Sequence, residues 1–271
     1  MARASKEERH HKADRVEERS TPPTPVIYEI VRRYGEEEMA RPAVSLWWSG
    51  LAAGLSMSFS LLAQAILWMR LPEAEWRPLL AALGYPVGFI MVVLARQQLF
   101  TENTITVVLP VMRDLSGQNL LRAGRMWAIV LGANLVGTLV AALLCAYTPI
   151  ITEELREAML EISRESVHKE LVAMALSGVT AGFLMAAMVW LIPSAEGSQF
   201  FVILAMTYLI GIAGAAHIVA GSVETFLLVA RNELGIGAML GQFTLPVLLG
   251  NIVGGTVLFA LLSYAQVMKE L

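Results

Sequence analysis

Residues 126–148 read MWAIVLGANLVGTLVAALLCAYT, and residues 242–266 read QFTLPVLLGNIVGGTVLFALLSYAQ; neither stretch carries a charge. A bilayer core of about 30 Å needs about 20 helical residues to cross it. Each stretch therefore fits one transmembrane helix. Four more apolar blocks lie at about 43–69, 78–112, 170–193 and 199–230. Six spans follow, and the fold class is an all-α membrane protein. Composition agrees: 56% of the 271 residues are hydrophobic and 16% are charged, against about 25% charged in a soluble domain. Mean hydropathy is +0.60.

The polar residues are concentrated at the start. Nine of the 20 Lys and Arg lie in the first 41 residues. Residues 1–24 are expected to form a disordered cytoplasmic tail, and without an apolar stretch the first twenty do not resemble a secretory signal. Residues 25–41 place Val26, Ile27, Ile30, Val31 and Tyr34 on one stripe, which predicts an amphipathic helix on the membrane surface. Residues 42–268 form the six-span domain. With the N-terminus inside, 13 basic residues fall on the cytoplasmic side and six on the other. That sign predicts both termini in the cytoplasm. Trp47, Trp48, Trp68 and Trp76 flank the first span as interfacial anchors. A net charge of −3 gives no nucleic-acid footprint. Cys145 stands alone, so no internal disulfide forms.

Two blocks exceed one crossing, and polar or small residues interrupt both. The second is broken by Arg96-Gln97-Gln98 and by Thr101-Glu102-Asn103; the fifth by Gly211, Gly214 and the segment from His217 to Ser222. Asn134-Leu-Val-Gly137 also recurs as Asn251-Ile-Val-Gly254 at an offset of 117, which carries Phe100 onto His217. The chain therefore reads as two halves, about 42–148 and 170–268, inserted in opposite senses and each with a broken helix. Paired broken helices point to a transport path near the midplane. An interrupted helix survives in hydrocarbon only where it faces protein or water, and its N-terminus favours an anion. His217, the only histidine in a span, has an ordinary pKa of about 6.5 and is a candidate proton exchanger. A histidine merely hydrogen-bonded between helices is the plainer alternative.

Leu99-Phe100-Thr101, Gly214-Ala-Ala-His217 and Leu249-Gly-Asn-Ile-Val-Gly-Gly255 together resemble the formate/nitrite transporter family. The resemblance runs over about residues 26–268. It implies an aquaporin-like six-helix protomer in a homopentamer, with one pore per subunit. It also implies passage of small monovalent anions or their acids, such as formate, nitrite or hydrosulfide. His217 then matches the pore histidine, Thr101 the threonine facing it, Leu99 and Phe100 the residues beside the constriction, and Asn251 the sixth-helix asparagine. This chain departs from the family at Ala216, where many members have Glu, and at Gly182, where many have Asn. Ser166 stands at a position of lysine, with Lys169 three residues on. Arg96 and Glu102 are added near the first break. They pair with each other to stabilise the loop, or Arg96 attracts anions at the mouth or meets a neighbouring subunit.

Gly50 with Gly54 and Ala133 with Gly137 are small pairs that allow close helix approach, expected between subunits. Neither a cofactor nor a metal site is expected, since no cluster has metal-ligand spacing, and no catalytic residue is assigned. A channel for a small neutral solute is the alternative function, given Glu102 beside the pore. A membrane-embedded enzyme ranks behind both.

Overall fold

The computed structural model describes residues 22–270. Residues 1–21, most of the expected tail, lie outside them. Among the described residues the ordered elements are helices. They comprise α1 (Thr24–Ala40), α2 (Ala43–Arg70), α3 (Arg77–Leu94), α4 (Phe100–Thr106), α5 (Val108–Arg113), α6 (Gly117–Tyr147), α7 (Glu153–Ser166), α8 (Leu171–Leu191), α9 (Gln199–Ile212), α10 (Ile218–Ala230) and α11 (Ile236–Val267). Five of these, α2, α3, α6, α8 and α11, are long and apolar enough to cross a membrane; α9 and α10 are apolar but shorter. Between 39% and 44% of the apolar window of each long helix is buried inside the chain. The rest includes Leu144, Val172 and Leu262, which are exposed on the single chain and suited to lipid or to a neighbouring copy.

Close backbone approach sets the packing. A Cβ added at Gly54 on α2 would lie 2.2 Å from the Asn134 carbonyl oxygen on α6, and one at Gly182 on α8 would lie 2.2 Å from that of Asn251 on α11. Gly50 and Gly137 pack in the first of these contacts, and Gly178, Gly250 and Gly254 in the second. The small pairs expected between subunits thus work within the chain, because α2 and α6 press together along them. Helix α11 carries two π-helical segments, Met239–Thr244 and Val253–Ala260. The second brings Gly255 against Thr104, whose carbonyl accepts from Thr256 Oγ1 at 2.7 Å.

Helix α1 differs from the expected surface helix. Ile27 and Val31 of its stripe are buried together with Tyr28, Gly35 and Met39, while Val26 and Tyr34 remain exposed. The absent side chain at Gly35 is the reason: a Cβ there would overlap the Thr106 carbonyl. The helix therefore docks on α4 and α5. Helix α7 fills the stretch between the two halves. Thr152 caps it, its Oγ1 accepting from the Leu155 N–H at 3.3 Å, and Met159, Leu160 and Ser163 are buried.

Gly54→Ala should lower the melting temperature in detergent by an amount equivalent to about 1–3 kcal/mol, the cost of overpacking. Gly132→Ala, whose added carbon would meet only the Trp47 ring edge at 3.9 Å, should leave it unchanged. Equal melting temperatures would show that α2 and α6 can separate freely.

Candidate functional site

Two interruptions of the helices share one backbone geometry. After α3 the chain leaves the helix at Ala95, turns through Arg96 with φ 51°, and runs extended through Leu99 at φ −111°, ψ 125°. After α9 it leaves at Ala213, turns through Gly214 with φ 56°, and runs extended through His217 at φ −110°, ψ 125°. The Gln97 N–H donates to the Val92 carbonyl, and the Ala215 N–H donates to the Ile210 carbonyl, both at 3.0 Å. A left-handed residue normally suits Gly at a helix end. Gly214 takes it freely, while Arg96 takes it at a cost of about 1–2 kcal/mol.

One asparagine holds each interruption. Asn134 Oδ1 accepts from the Phe100 N–H at 2.9 Å, and its Nδ2 donates to the carbonyls of Gly50 at 2.8 Å and Gln98 at 2.9 Å. Asn251 repeats the set: Oδ1 accepts from the Ile218 N–H at 2.9 Å, and Nδ2 donates to Gly178 at 2.8 Å and Ala216 at 2.9 Å. Both side chains are fully buried. Only the amide supplies an acceptor and two donors from one side chain, so the two partner types fix its orientation. The matching residues at the breaks are Leu99 and His217, an offset of 118, so the expected pairing of Phe100 with His217 is wrong by one residue.

Helices α4 and α10 start from these points and meet at Thr101 and His217. Thr101 Oγ1 lies 2.7 Å from His217 Nε2. Thr101, expected on a loop, is the second residue of α4, because the extended stretch ends at Leu99. His217 is the N-cap of α10, and its Nδ1 accepts from the Ala220 N–H at 3.2 Å. That bond fixes the tautomer. Nε2 carries the hydrogen and donates to Thr101, and the Thr101 hydroxyl hydrogen is left to point onward. A proton on Nδ1 would set two N–H groups against each other and break the cap, which weighs against His217 as the proton exchanger. The His217 ring packs edge-on against Phe89 at 4.9 Å, and Phe100 against Trp127 at 5.7 Å. Leu99 and Phe100 are buried in the apolar cluster that holds Phe89, Ile218 and Val219.

On one side of this contact opens a cavity of about 220 Å³, lined by His217, Tyr85, Phe243, Lys169 and Glu224 among others. Lys169 Nζ donates to the Gly214 carbonyl, and burial holds Lys169 below the ordinary lysine value. A larger hollow of about 800 Å³ between α1, α5 and the start of α6 holds Arg113, Arg122 and Arg125 and does not reach His217.

The first break has a different neighbour, Glu38 of α1. Its carboxylate accepts from Gln98 Nε2 at 3.1 Å, Thr106 Oγ1 at 2.7 Å and Asn103 Nδ2 at 3.4 Å. Burial raises its pKa above the ordinary carboxylate value, against those bonds. The expected Arg96–Glu102 pair does not form. Arg96 points outward from the left-handed turn and is exposed, and Glu102 Oε1 is buried with no hydrogen-bond partner. Sequence reasoning missed Glu38, because Glu36-Glu37-Glu38 reads as a solvated run. It did not count Asn134 as a site residue, although the repeated Asn-x-Val-Gly motif carried that signal.

A family model described as formate/nitrite transporter matches residues 25–265. The chain is 42% identical over 268 residues to the inner membrane protein YfdC of Escherichia coli K12, spanning 99% of this chain and 86% of that one. It is 25% identical over 256 residues to the transporter YrhG of Bacillus subtilis, spanning 90% and 93%. Among solved structures it is similar to a pentameric formate channel with formate bound, at TM-score 0.70 and 19% identity, covering 83% of this chain and 98% of that one. An ion channel of the same family gives TM-score 0.73 and 20% identity, covering 90% and 98%.

Asn251→Ala should destabilise the protein in detergent by about 3 kcal/mol or more, since it strands one N–H and two carbonyls. Asn134→Ala should cost a similar amount. A loss below about 1 kcal/mol in thermal unfolding would show that the clamp is dispensable. Glu38 gives a pH signature. Its folded value is raised, so the folded state holds the proton longer than the unfolded chain. Its contribution is present at low pH and is lost as pH rises through the folded value. The melting temperature of the wild type should fall across that window relative to Glu38→Gln; parallel curves would refute a raised pKa at this half-buried Glu38.

Proposed function

The chain belongs to the formate/nitrite transporter family, and from that premise we propose that it is a channel for small monovalent anions or their weak acids, of the formate, nitrite and hydrosulfide class. It is an integral membrane protein. The observation that carries the reading is the 2.7 Å contact of Thr101 with His217, where the first turns of two interrupted helices meet. An anion entering an apolar constriction loses hydration that the protein has to replace. The Thr101 hydroxyl, polarised by the Nε2–H behind it, is a donor for that purpose. Two helix N-termini add their partial positive charge. Leu99, Phe100 and Phe89 form the apolar wall that makes the passage narrow and selective.

In this reading α3 with α4 and α9 with α10 are two broken spans. With α2, α6, α8 and α11 they give six crossings in an aquaporin-like inverted repeat, residues 42–148 and 170–268. The protomer assembles as a homopentamer in the bacterial inner membrane, with both termini in the cytoplasm. Asn251 and Asn134 shape the path without touching the solute. Lys169 draws the anion into the 220 Å³ cavity. Arg96, on its exposed turn, contributes a charge near the other mouth. Transport is passive or coupled to protons.

One observation favours the neutral-solute alternative. The first break is lined with acceptors, Glu38 and the unpartnered Glu102 Oε1 and Gln97 Oε1, which repel a bare anion and receive hydrogen bonds from a hydroxylated solute.

Flux into liposomes with formate, nitrite, nitrate, hydrosulfide, acetate and glycerol tests both. Formate, nitrite or hydrosulfide should enter, and glycerol should not; the reverse result selects the neutral-solute channel. Thr101→Val strands the buried His217 Nε2–H, so it should cost about 1–3 kcal/mol of stability, and it should lower formate flux at least about tenfold. His217→Asn should fold, because asparagine also caps helices, and should lose flux by a similar factor. Wild-type flux in both variants would make the contact a structural one.

A further inference from the structure

If the solute moves as its acid, some group has to supply the proton, and His217 is committed at both nitrogens. The cavity beside it holds a different candidate. Glu224 lies seven residues after His217 on α10, so the two share a face, with Gly221 between them. Glu224 is 7% exposed and lines the same 220 Å³ cavity as His217. Among the described residues no cation comes within ion-pair distance of it. The groups around it are few. Glu165 on α7, Lys169 on the link to α8, Tyr85 on α3 and His217 are the titratable ones in the cavity; α7 adds Ser166, α2 adds Gln64 and α11 adds Phe243. Helix α6, packed along α10, carries no ionisable side chain between Arg125 and Cys145. Lys169 is turned to the Gly214 carbonyl.

We propose that Glu224 is the proton donor of the permeation path, protonating the incoming anion in the cavity before it reaches the Thr101–His217 contact. The proposal rests on the channel reading above. In the step the carboxyl O–H bond of Glu224 breaks, and its proton forms an O–H bond on the solute anion. The solute becomes a neutral acid and Glu224 a carboxylate, which regains a proton from water in the cavity. The neutral acid then crosses the apolar constriction without the cost of a bare charge and donates its new hydrogen onward. Lys169 concentrates the anion and steadies the carboxylate left behind. Between the two residues the Phe243 ring packs on the bare backbone of Gly221: a Cβ there would lie 2.3 Å from that ring, so a larger side chain would push the ring into the cavity.

The test is formate flux into liposomes with equal pH on both sides. At about pH 7, where free formic acid is scarce, Glu224→Gln should lower flux about tenfold. At about pH 5 the solution supplies more of the acid, and the variant should approach the wild type. Glu224→Asp should keep the wild-type profile, and His217→Asn, though slower, should keep its shape. A wild-type profile in Glu224→Gln overturns the proposal, as does a profile flattened by His217→Asn alone. Carbodiimide reacts with protonated carboxyls and needs no variant. At about pH 7 it should modify Glu224 in the wild-type protein, found by peptide mass spectrometry, and formate should protect it; an unmodified Glu224 also overturns the proposal. A wild-type protein that moves no formate, nitrite or hydrosulfide overturns the channel reading instead.

Discussion

A helix interrupted among apolar neighbours leaves backbone groups that something else has to bond, and here two asparagines do that. Asn134 and Asn251 each take one N–H at the start of a new helix and satisfy two carbonyls, one at the end of the break and one on the neighbouring long helix. The rest of the centre follows from those six bonds. They fix where α4 and α10 begin, and therefore where Thr101 and His217 stand. They also require α2 against α6 and α8 against α11 at backbone contact, since Gly50 and Gly178 offer their own carbonyls. The glycines that look like an assembly motif are the condition for reaching them.

The two breaks share a backbone but not a chemistry. Around the first stand Glu38, Gln98 and Asn103, tied together and to α1. Around the second stand Lys169 and Glu224 in an open cavity. The histidine belongs to the second alone, and its cap bond to Ala220 turns it from a titrating group into a directed donor. In the proposed reading a solute meets acceptors on one side, a single donor in the middle, and Lys169 with the carboxyls of Glu165 and Glu224 on the other. That reading separates attraction, constriction and proton supply among different residues.

Much of this was legible in the chain. Apolar length gave the long helices, and the recurrence of Asn-x-Val-Gly marked the two residues on which the centre hangs. The register slipped by one because Asn134 stands 34 residues after its bonded N–H and Asn251 only 33. A fixed offset cannot follow such a difference. Thr101 looked like part of a break because Glu and Asn follow it; in three dimensions Asn103 bonds Glu38 of α1 and its carbonyl accepts from Trp127 of α6, while the backbone is already helical. Helix α7 was hidden by its polarity, although Thr152 was a legible cap. Glu38 could not be found at all, since its role depends on a docking contact made through the bare backbone of Gly35. The free orientation of Arg96 has the same origin: closeness to Glu102 along the chain says nothing once the turn between them is left-handed.

Every side chain at the Thr101–His217 contact, at both asparagine clamps and around Glu224 comes from one chain. In the proposed pentamer, with one pore per subunit, a copy with a damaged centre silences its own passage and leaves the adjoining passages intact. Defective alleles should then behave as recessive and dose-graded, with no poisoning of the whole complex.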